Sequence, residues 1–302
     1  MEAGKGPILV IINPTASRGR GVRAWARVRD AVASRGFVVT EVLTERRMHA
    51  WEIARGAGQQ GYSTVVAVGG DGTVHEVING LMQTAQTARP ALAVLPGGTG
   101  NDFARGIGTP KRAELAIQAL LNGTRKRVDV GQVNDRYFGS ISGVGFDAET
   151  ARQANQWPKW IGGTALYVAA LLKMLVAYTP VETTITIDGR VQTIRMFLLA
   201  AANTKWYGGG MFMAPHADMN DGRLAVVYAR DLGKLETLAV LPKVYSGKHL
   251  LHPKVSHTTA DEIRVESDTP LSIHADGEIV GRVPAVFRAV HGALEVLVPQ
   301  LP

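Results

Sequence analysis

Two glycine-rich loops, one supersecondary unit apart, constrain this chain more than any other feature. Gly69-Gly70-Asp71-Gly72-Thr73 follows the apolar run Thr64 to Val68, and Pro96-Gly97-Gly98-Thr99-Gly100-Asn101-Asp102 follows Ala91 to Leu95. Apolar strand, then glycines, then helix is the geometry that places bare main-chain N–H groups around an anion. The glycines permit positive φ and close approach of the backbone to phosphate. Asp71 and Asp102 sit inside or beside these loops. A loop meant for phosphate alone gains nothing from an acid, whereas a divalent cation between the two fits, and with it nucleotide chemistry.

Strand-like runs at 8–12, 37–43, 64–68 and 91–95 alternate with helical stretches that begin after Gly21 and recur at 48–57, 74–82 and 113–121. That alternation predicts a parallel sheet with helices on both faces, binding ligands at the carboxyl ends of its strands. Those ends are Asn13-Pro14, Thr44 and the two glycine loops. From about Arg127 the texture changes. Strands are expected at 128–133, 137–144, 181–188, 191–201, 223–228, 262–266, 271–275, 285–289 and 294–298, with helices at 164–178 and 235–241. Asn134-Asp135 and Asp188-Gly189 are hairpin signals. The expected architecture is an α/β N-terminal domain with a parallel sheet over 1–125, then a β-rich, antiparallel, sandwich-like domain over 126–302. The last strand is free to return to the first domain.

A length of 302 residues accommodates both domains. Absence of cysteine excludes disulfides, thiolate catalysis and cysteine-ligated zinc. Met1 to Pro7 lacks the apolar core a secretory signal needs, so a cytoplasmic location is expected. The net charge of +7 suits nucleotide phosphates, an anionic membrane surface or nucleic acid, and does not choose among them. Aromatic residues are only 6% and do not interleave with basic ones, which argues against nucleic acid. The apolar stretch from Ile161 to Tyr178 is broken by Gly162, Gly163, Thr164 and Lys173, too short and interrupted to span a bilayer. It reads as a buried or partly membrane-facing helix.

Several positions carry more than one reading. Thr73 caps or opens the helix after the first loop; in the second loop Thr99 suits a hydrogen bond to phosphate, and Asp102 either caps the following helix or serves the nucleotide site. Asn220-Asp221-Gly222 is a turn or part of a metal site. Asp276-Gly277-Glu278 is a hairpin turn or a source of a general base. His249 and His252 lack a third metal ligand in view. Neither a Walker loop nor a G-x-S-x-G elbow is present.

The run Val68 to Gly80 followed by Leu95 to Arg105 resembles the diacylglycerol kinase catalytic domain, and the chain is most similar to the soluble bacterial lipid kinases of that family. Sphingosine and ceramide kinases are related; NAD kinases and 6-phosphofructokinases are more distant relatives sharing the GGDG loop. Ala202-Asn203, Tyr207 to Gly210, Ala214-Pro215, Ala217, Asp221-Gly222, Gly247-Lys248-His249 and Asp276-Gly277-Glu278 match the family's second-domain pattern, so the resemblance runs from Asn13 to Pro299. It implies an NAD kinase-like α/β domain and ATP bound between the domains by Asn13, Pro14, Thr15, Ala16, Ser17, Thr44, Gly69, Gly70, Asp71, Gly72, Thr73, Gly98 and Thr99. It also implies a catalytic Mg²⁺ served through water by Asp71, with Asp102 in support. A second, structural metal would use Asp218, Asp221 and the main-chain carbonyl of Arg223. Asp276 or Glu278 would accept the proton of a lipid hydroxyl, with Asp276 favoured. The expected activity is an ATP-dependent lipid kinase converting diacylglycerol to phosphatidic acid, peripheral at the inner membrane surface. Transient docking there would use the cationic excess and apolar groups near Trp157, Trp160 or Trp206. Other lipid alcohols, a soluble-substrate kinase of the NAD kinase type and a non-catalytic nucleotide or lipid sensor are the alternatives. Oligomeric state is not legible, a homodimer being one option.

Overall fold

Ile-Leu-Val-Ile-Ile at β1 (Ile8–Ile12) is buried at all five positions, which requires a strand covered on both faces. β2 (Val39–Leu43) and β3 (Thr64–Gly69) flank it in parallel, and β4 (Ala91–Pro96) lies parallel beside β3. The computed structural model describes residues 6–156 and 163–300 and divides into two units, Met1–Val130 with His291–Pro302, and Gly131–Val290.

In the first unit α1 (Arg20–Ala33) sets Ala24, Trp25, Val28 and Val32 at helical spacing against the sheet. α2 (His49–Ala57) and α3 (Asp71–Met82) pack on each other. Gly80 permits that approach, because a Cβ there would meet the Trp51 carbonyl oxygen and lie 2.8 Å from Ala54 Cβ. α4 (Asp102–Gly106) is a single turn after the second glycine loop. α5 (Ala113–Ala116) and α6 (Gln118–Asn122) join the apolar cluster under α1.

β5 (Thr124–Val133) leads into the second unit, where its end pairs antiparallel with β6 (Arg136–Phe138). There follow β7 (Ile141–Gly145), α7 (Phe146–Asn155), α8 (Gly163–Ala177), β8 (Val181–Ile187), β9 (Arg190–Ala202), β10 (Leu224–Arg230), α9 (Lys234–Val244), β11 (Val255–Ala260), β12 (Glu262–Glu266), β13 (Ser272–Ala275), β14 (Glu278–Arg282) and β15 (Ala285–Val298). The strands run β14-β13-β7-β9-β8-β12-β15, all antiparallel. β9 pairs with β8 in its first half and with both β7 and β10 in its second. Phe138, Leu199, Val226, Ile263, Ile273 and Phe287 fill the interior of this sandwich. β15 is long enough to serve both units: Ala285 to Arg288 pair with β12, and Val296 pairs in parallel with Leu92 of β4.

The α/β and antiparallel β architectures are as the sequence indicates. Several boundaries differ. The run 137–144 is two strands, split at Gly139-Ser140, whose amides are drawn out of the ladder by side chains described below. The runs 285–289 and 294–298 are one strand. The helical stretch 113–121 breaks at Ile117. α7 and β11 carry too little periodicity to be read from sequence. No helix among the described residues is long and apolar enough to cross a membrane. Trp157 and Trp160 lie outside the described residues. Trp206 is half-buried beside Phe212, ring centroids 5.6 Å apart.

Candidate active site

The loops that follow β1, β3 and β4 meet at the carboxyl end of the parallel sheet. Gly97 N donates to Gly69 O at 2.7 Å. A Cβ on Gly98 would fall 2.5 Å from Gly70 Cα, and one on Gly97 would fall 2.8 Å from Gly21 Cα. Close approach is therefore what demands glycine here; none of Gly69, Gly70, Gly72, Gly97 or Gly98 has positive φ.

Asp71 ties the two glycine loops together. Its Oδ2 accepts the Asn101 amide at 2.8 Å and its Oδ1 accepts the Asp102 amide at 2.7 Å. Asn101, at φ 56°, staples its own loop by accepting from Gly98 N and donating to Gly98 O, both at 3.0 Å. Asp102 is buried and accepts from Arg105 Nη1 at 3.2 Å. The two carboxylates converge on Gly100, where a Cβ would lie 2.5 Å from Asp71 Oδ2 and 3.4 Å from Asp102 Oδ2.

Asn13 organises the third loop. Its Nδ2 donates to Thr73 Oγ1 at 3.0 Å, and its Oδ1 accepts from Thr15 N, Thr15 Oγ1 and Ala16 N at 3.0, 2.9 and 3.2 Å. Pro14 ends β1, and Ser17 and Arg18 follow at φ 47° and 58°. Left-handed backbone costs a non-glycine residue about 1–2 kcal/mol, and such strain concentrates at functional loops. Thr44 ends β2, its amide donating to Ile12 O at 2.9 Å. Gly72 lies in the first turn of α3, and Thr99 is exposed at the tip of the second glycine loop. A cleft of about 450 Å³ opens beside that loop, lined by Gly98, Thr99 and the cations Arg20, Arg23, Lys111 and Arg112.

One contributor escapes sequence reasoning. Glu76 Oε1 and Oε2 accept the Met48 and Ala50 amides at 2.8 and 3.2 Å, which fixes the start of α2 just past Thr44. An acid five residues after Asp71 signals nothing about that distant partner.

In the second unit Asp276 and Gly277 form the β13–β14 turn at φ 51° and 85°. The Asp276 carboxylate is also a clamp: Oδ2 accepts Gly139 N at 2.9 Å, and Oδ1 accepts Ser140 N and Ile141 N at 2.8 and 3.3 Å. Asn203 holds the same corner, donating from Nδ2 to Gly139 O at 2.9 Å. Glu278 is half-buried at the start of β14. Behind the turn lies a buried pair, His274 Nε2 and Asp147 Oδ2, 3.0 Å apart. His274 Nδ1 accepts the Gly277 amide at 3.3 Å, so the ring proton resides on Nε2 and points to Asp147. Asp147 and His274 carried no motif that sequence alone could single out.

Asp218, Asp221 and Arg223 share an exposed turn before β10. Asp218 Oδ1 accepts Asn220 N and Nδ2 at 3.0 and 2.8 Å, and Asp221 Oδ1 accepts Arg223 N at 2.9 Å. Each carboxylate keeps its Oδ2 outside these bonds. Among the described residues no three His, Cys, Asp or Glu side chains cluster to hold a metal. Paired carboxylates, as at Asp71/Asp102 and Asp218/Asp221, fit a hard cation that retains several waters.

A partly open apolar pocket of about 70 Å³ lies in the second unit, walled by Phe146, Leu171, Phe197, Met213, Val227 and Val240. Nearby, burial and the charges of Asp147 and Glu149 push the Tyr178 phenol well up, keeping it neutral. Burial lowers His249, whose Nε2 meets Met213 O at 3.0 Å.

Residues 7–133 match the family model of the diacylglycerol kinase catalytic domain, and residues 139–298 match the YegS C-terminal NAD kinase beta sandwich-like domain. The chain is 31% identical to a diacylglycerol kinase of Mycobacterium tuberculosis, over 98% of this chain and 96% of that protein. It belongs to the diacylglycerol kinase family. A diacylglycerol kinase of Bacillus subtilis is 30% identical over 96% of each chain. The crystal structure of a diacylglycerol kinase from Bacillus anthracis shares the fold at a TM-score of 0.76 and 24% identity, covering 97% of each chain. Membership in the diacylglycerol kinase family makes the chain an ATP-dependent kinase, and both glycine loops fall within its catalytic-domain match.

Proposed function

We propose that this protein transfers the γ-phosphate of ATP to the hydroxyl of a lipid alcohol, with diacylglycerol as substrate and phosphatidic acid as product. The observation that carries the nucleotide half is the Asp71 clamp, which holds two glycine backbones in contact beside a cationic cleft. The names of the full-length relatives, together with the apolar pocket of the second unit, support a lipid acceptor.

Binding of the nucleotide falls to the loops Asn13–Ser17, Thr44, Gly69–Thr73, Gly98 and Thr99, whose main-chain amides neutralise phosphate charge. Asp71 and Asp102 would hold Mg²⁺ through water, and that ion supplies charge neutralisation at the transferring phosphoryl group. Asp218, Asp221 and the Arg223 carbonyl would hold a second, structural ion. Asp276 was the favoured base from sequence. Its oxygens, however, already accept three main-chain amides, so the proton of the attacking hydroxyl is assigned to Glu278 and the positioning of that turn to Asp276. The protein works at the cytoplasmic membrane surface, where its substrate resides.

A panel of diacylglycerol, ceramide, a sphingoid base and NAD, each offered in mixed micelles with γ-labelled ATP and Mg²⁺, tests the reading. Labelled phosphatidic acid is the expected product. Label appearing only in NADP would assign the protein to soluble-substrate chemistry instead. A labelled sphingoid base or ceramide would keep the reaction and change the acceptor.

A further inference from the structure

The Asp147–His274 pair occupies a place where stability alone does not require polar residues. The side chains are 6% and 0% exposed, and replacing a buried ion pair by apolar residues of similar volume is often neutral or stabilising. The fold nonetheless makes room for it. His274 lies opposite Gly143 in the β7–β13 register, and a Cβ on Gly143 would run into Asp147 Oδ2 and lie 2.9 Å from His274 Nε2. Tyr207 covers the imidazole, ring centroids 5.4 Å apart and planes 24° from parallel. Asp147 is fixed on α7 by its other oxygen, Oδ1, which accepts the Ala148 amide at 2.8 Å. With Nε2 donating to Asp147 Oδ2, His274 keeps one tautomer, and its Nδ1 is left as an acceptor for the Gly277 amide. These contacts end on Gly277, the residue before Glu278. The β13–β14 ladder shifts register between Ile273 and His274, an irregularity of the kind that re-aims neighbouring side chains.

We propose that His274 is a positioning residue for phosphoryl transfer: held in one tautomer by Asp147, it grips the Gly277 amide and so aims the Glu278 carboxylate at the acceptor hydroxyl. The assignment rests on the reading of Glu278 as the base. Asp276 anchors the turn through its carboxylate and the amides of Gly139, Ser140 and Ile141; His274 anchors it through Gly277. Asp276 and Gly277 both hold left-handed backbone, and such conformations persist only where the surroundings over-determine them. A turn released from His274 would carry Glu278 with it, and misplacing a reacting group by about 1 Å costs on the order of 10²-fold in rate. Asp147 also stands in the wall of the apolar pocket, so one hydrogen bond ties that wall to the turn bearing the base.

Two substitutions at one position separate the two ends of the ring. In His274→Asn the short side chain offers a carbonyl oxygen near the place of Nδ1 for the Gly277 amide, while Asp147 loses its donor. In His274→Gln the longer side chain brings an NH₂ group to Asp147, and nothing replaces Nδ1. Turnover of diacylglycerol in mixed micelles with ATP and Mg²⁺ is measured beside urea unfolding of the same proteins. His274→Asn is expected to unfold at lower urea and keep most of the wild-type kcat. His274→Gln is expected to unfold near the wild-type midpoint and lose kcat on the order of 10²-fold, with KM for ATP unchanged. Placed in a Glu278→Gln background, His274→Gln should cause no further loss, because the residue acts through Glu278. Wild-type kcat in His274→Gln overturns the proposal, as does an equal fall in kcat with and without the Glu278 carboxylate, which would make the pair a matter of folding alone. Glu278→Gln turning over at the wild-type rate is a separate outcome: it removes the base reading and takes this assignment with it.

Discussion

Asp71 and Asp276 are carboxylates of the same structural kind: each accepts main-chain amides from a neighbouring loop. Replacing Asp71 with asparagine leaves one amide facing an NH₂ group. The expected result is a loss of about 1–3 kcal/mol in denaturant unfolding together with a fall in turnover of roughly 100-fold or more. Glu278→Gln separates from Asp276→Asn in the same assays. Glu278→Gln should lower kcat by about 10²–10⁴ with stability and nucleotide affinity unchanged, whereas Asp276→Asn should lower stability as well. If Glu278→Gln turned over at the wild-type rate, the base assignment would be wrong. His249 gives a pH dependence. Burial holds its folded pKa below the ordinary 6.5, so the unfolded chain takes up the proton first. Stability contributed at this site is complete above pH 6.5 and declines as pH falls from there toward the lowered folded value. Thermal unfolding followed across that range should show the decline in wild type and a flatter profile in His249→Gln.

At the scale of elements, β1, β3 and β4 were legible because a strand covered on both faces is a continuous apolar run, whereas the edge strand β2 is largely exposed. The glycine loops were legible because their spacing after those runs is fixed. What glycine does there was only half legible: close packing of Gly98 on Gly70 is a tertiary fact, and positive φ turned out not to be used. The strand break at Gly139-Ser140 was hidden because Asp276 and Asn203, distant in sequence, create it. The dyad of Asp147 and His274 was hidden for the same reason, the two residues lying in elements far apart in sequence, α7 and β13. Helix packing carries its own test. Gly80→Val should drive Cβ into the Trp51 carbonyl and cost about 1–3 kcal/mol by overpacking. Urea unfolding reads that loss, and a midpoint equal to wild type would show that α2 and α3 separate without cost.

For the whole molecule, six of the seven net positive charges fall in the unit carrying the glycine loops, Met1–Val130 with His291–Pro302, and one falls in Gly131–Val290. That asymmetry agrees with a polyanionic nucleotide on the first unit and an uncharged lipid alcohol in the second. The family assignment rests on matches across both units, whereas the acceptor depends on pocket walls that no motif encodes. The central claim is that the loops joined by Asp71 form a cradle for a nucleoside triphosphate with its magnesium. Calorimetric titration of the full chain with ATP, with and without Mg²⁺, tests it most directly, alongside Gly98→Val, whose side chain would collide with Gly70. Saturable binding that is strengthened by Mg²⁺ and lost in Gly98→Val is the predicted result; no binding of any purine triphosphate by the wild-type protein in the presence of Mg²⁺ would contradict it.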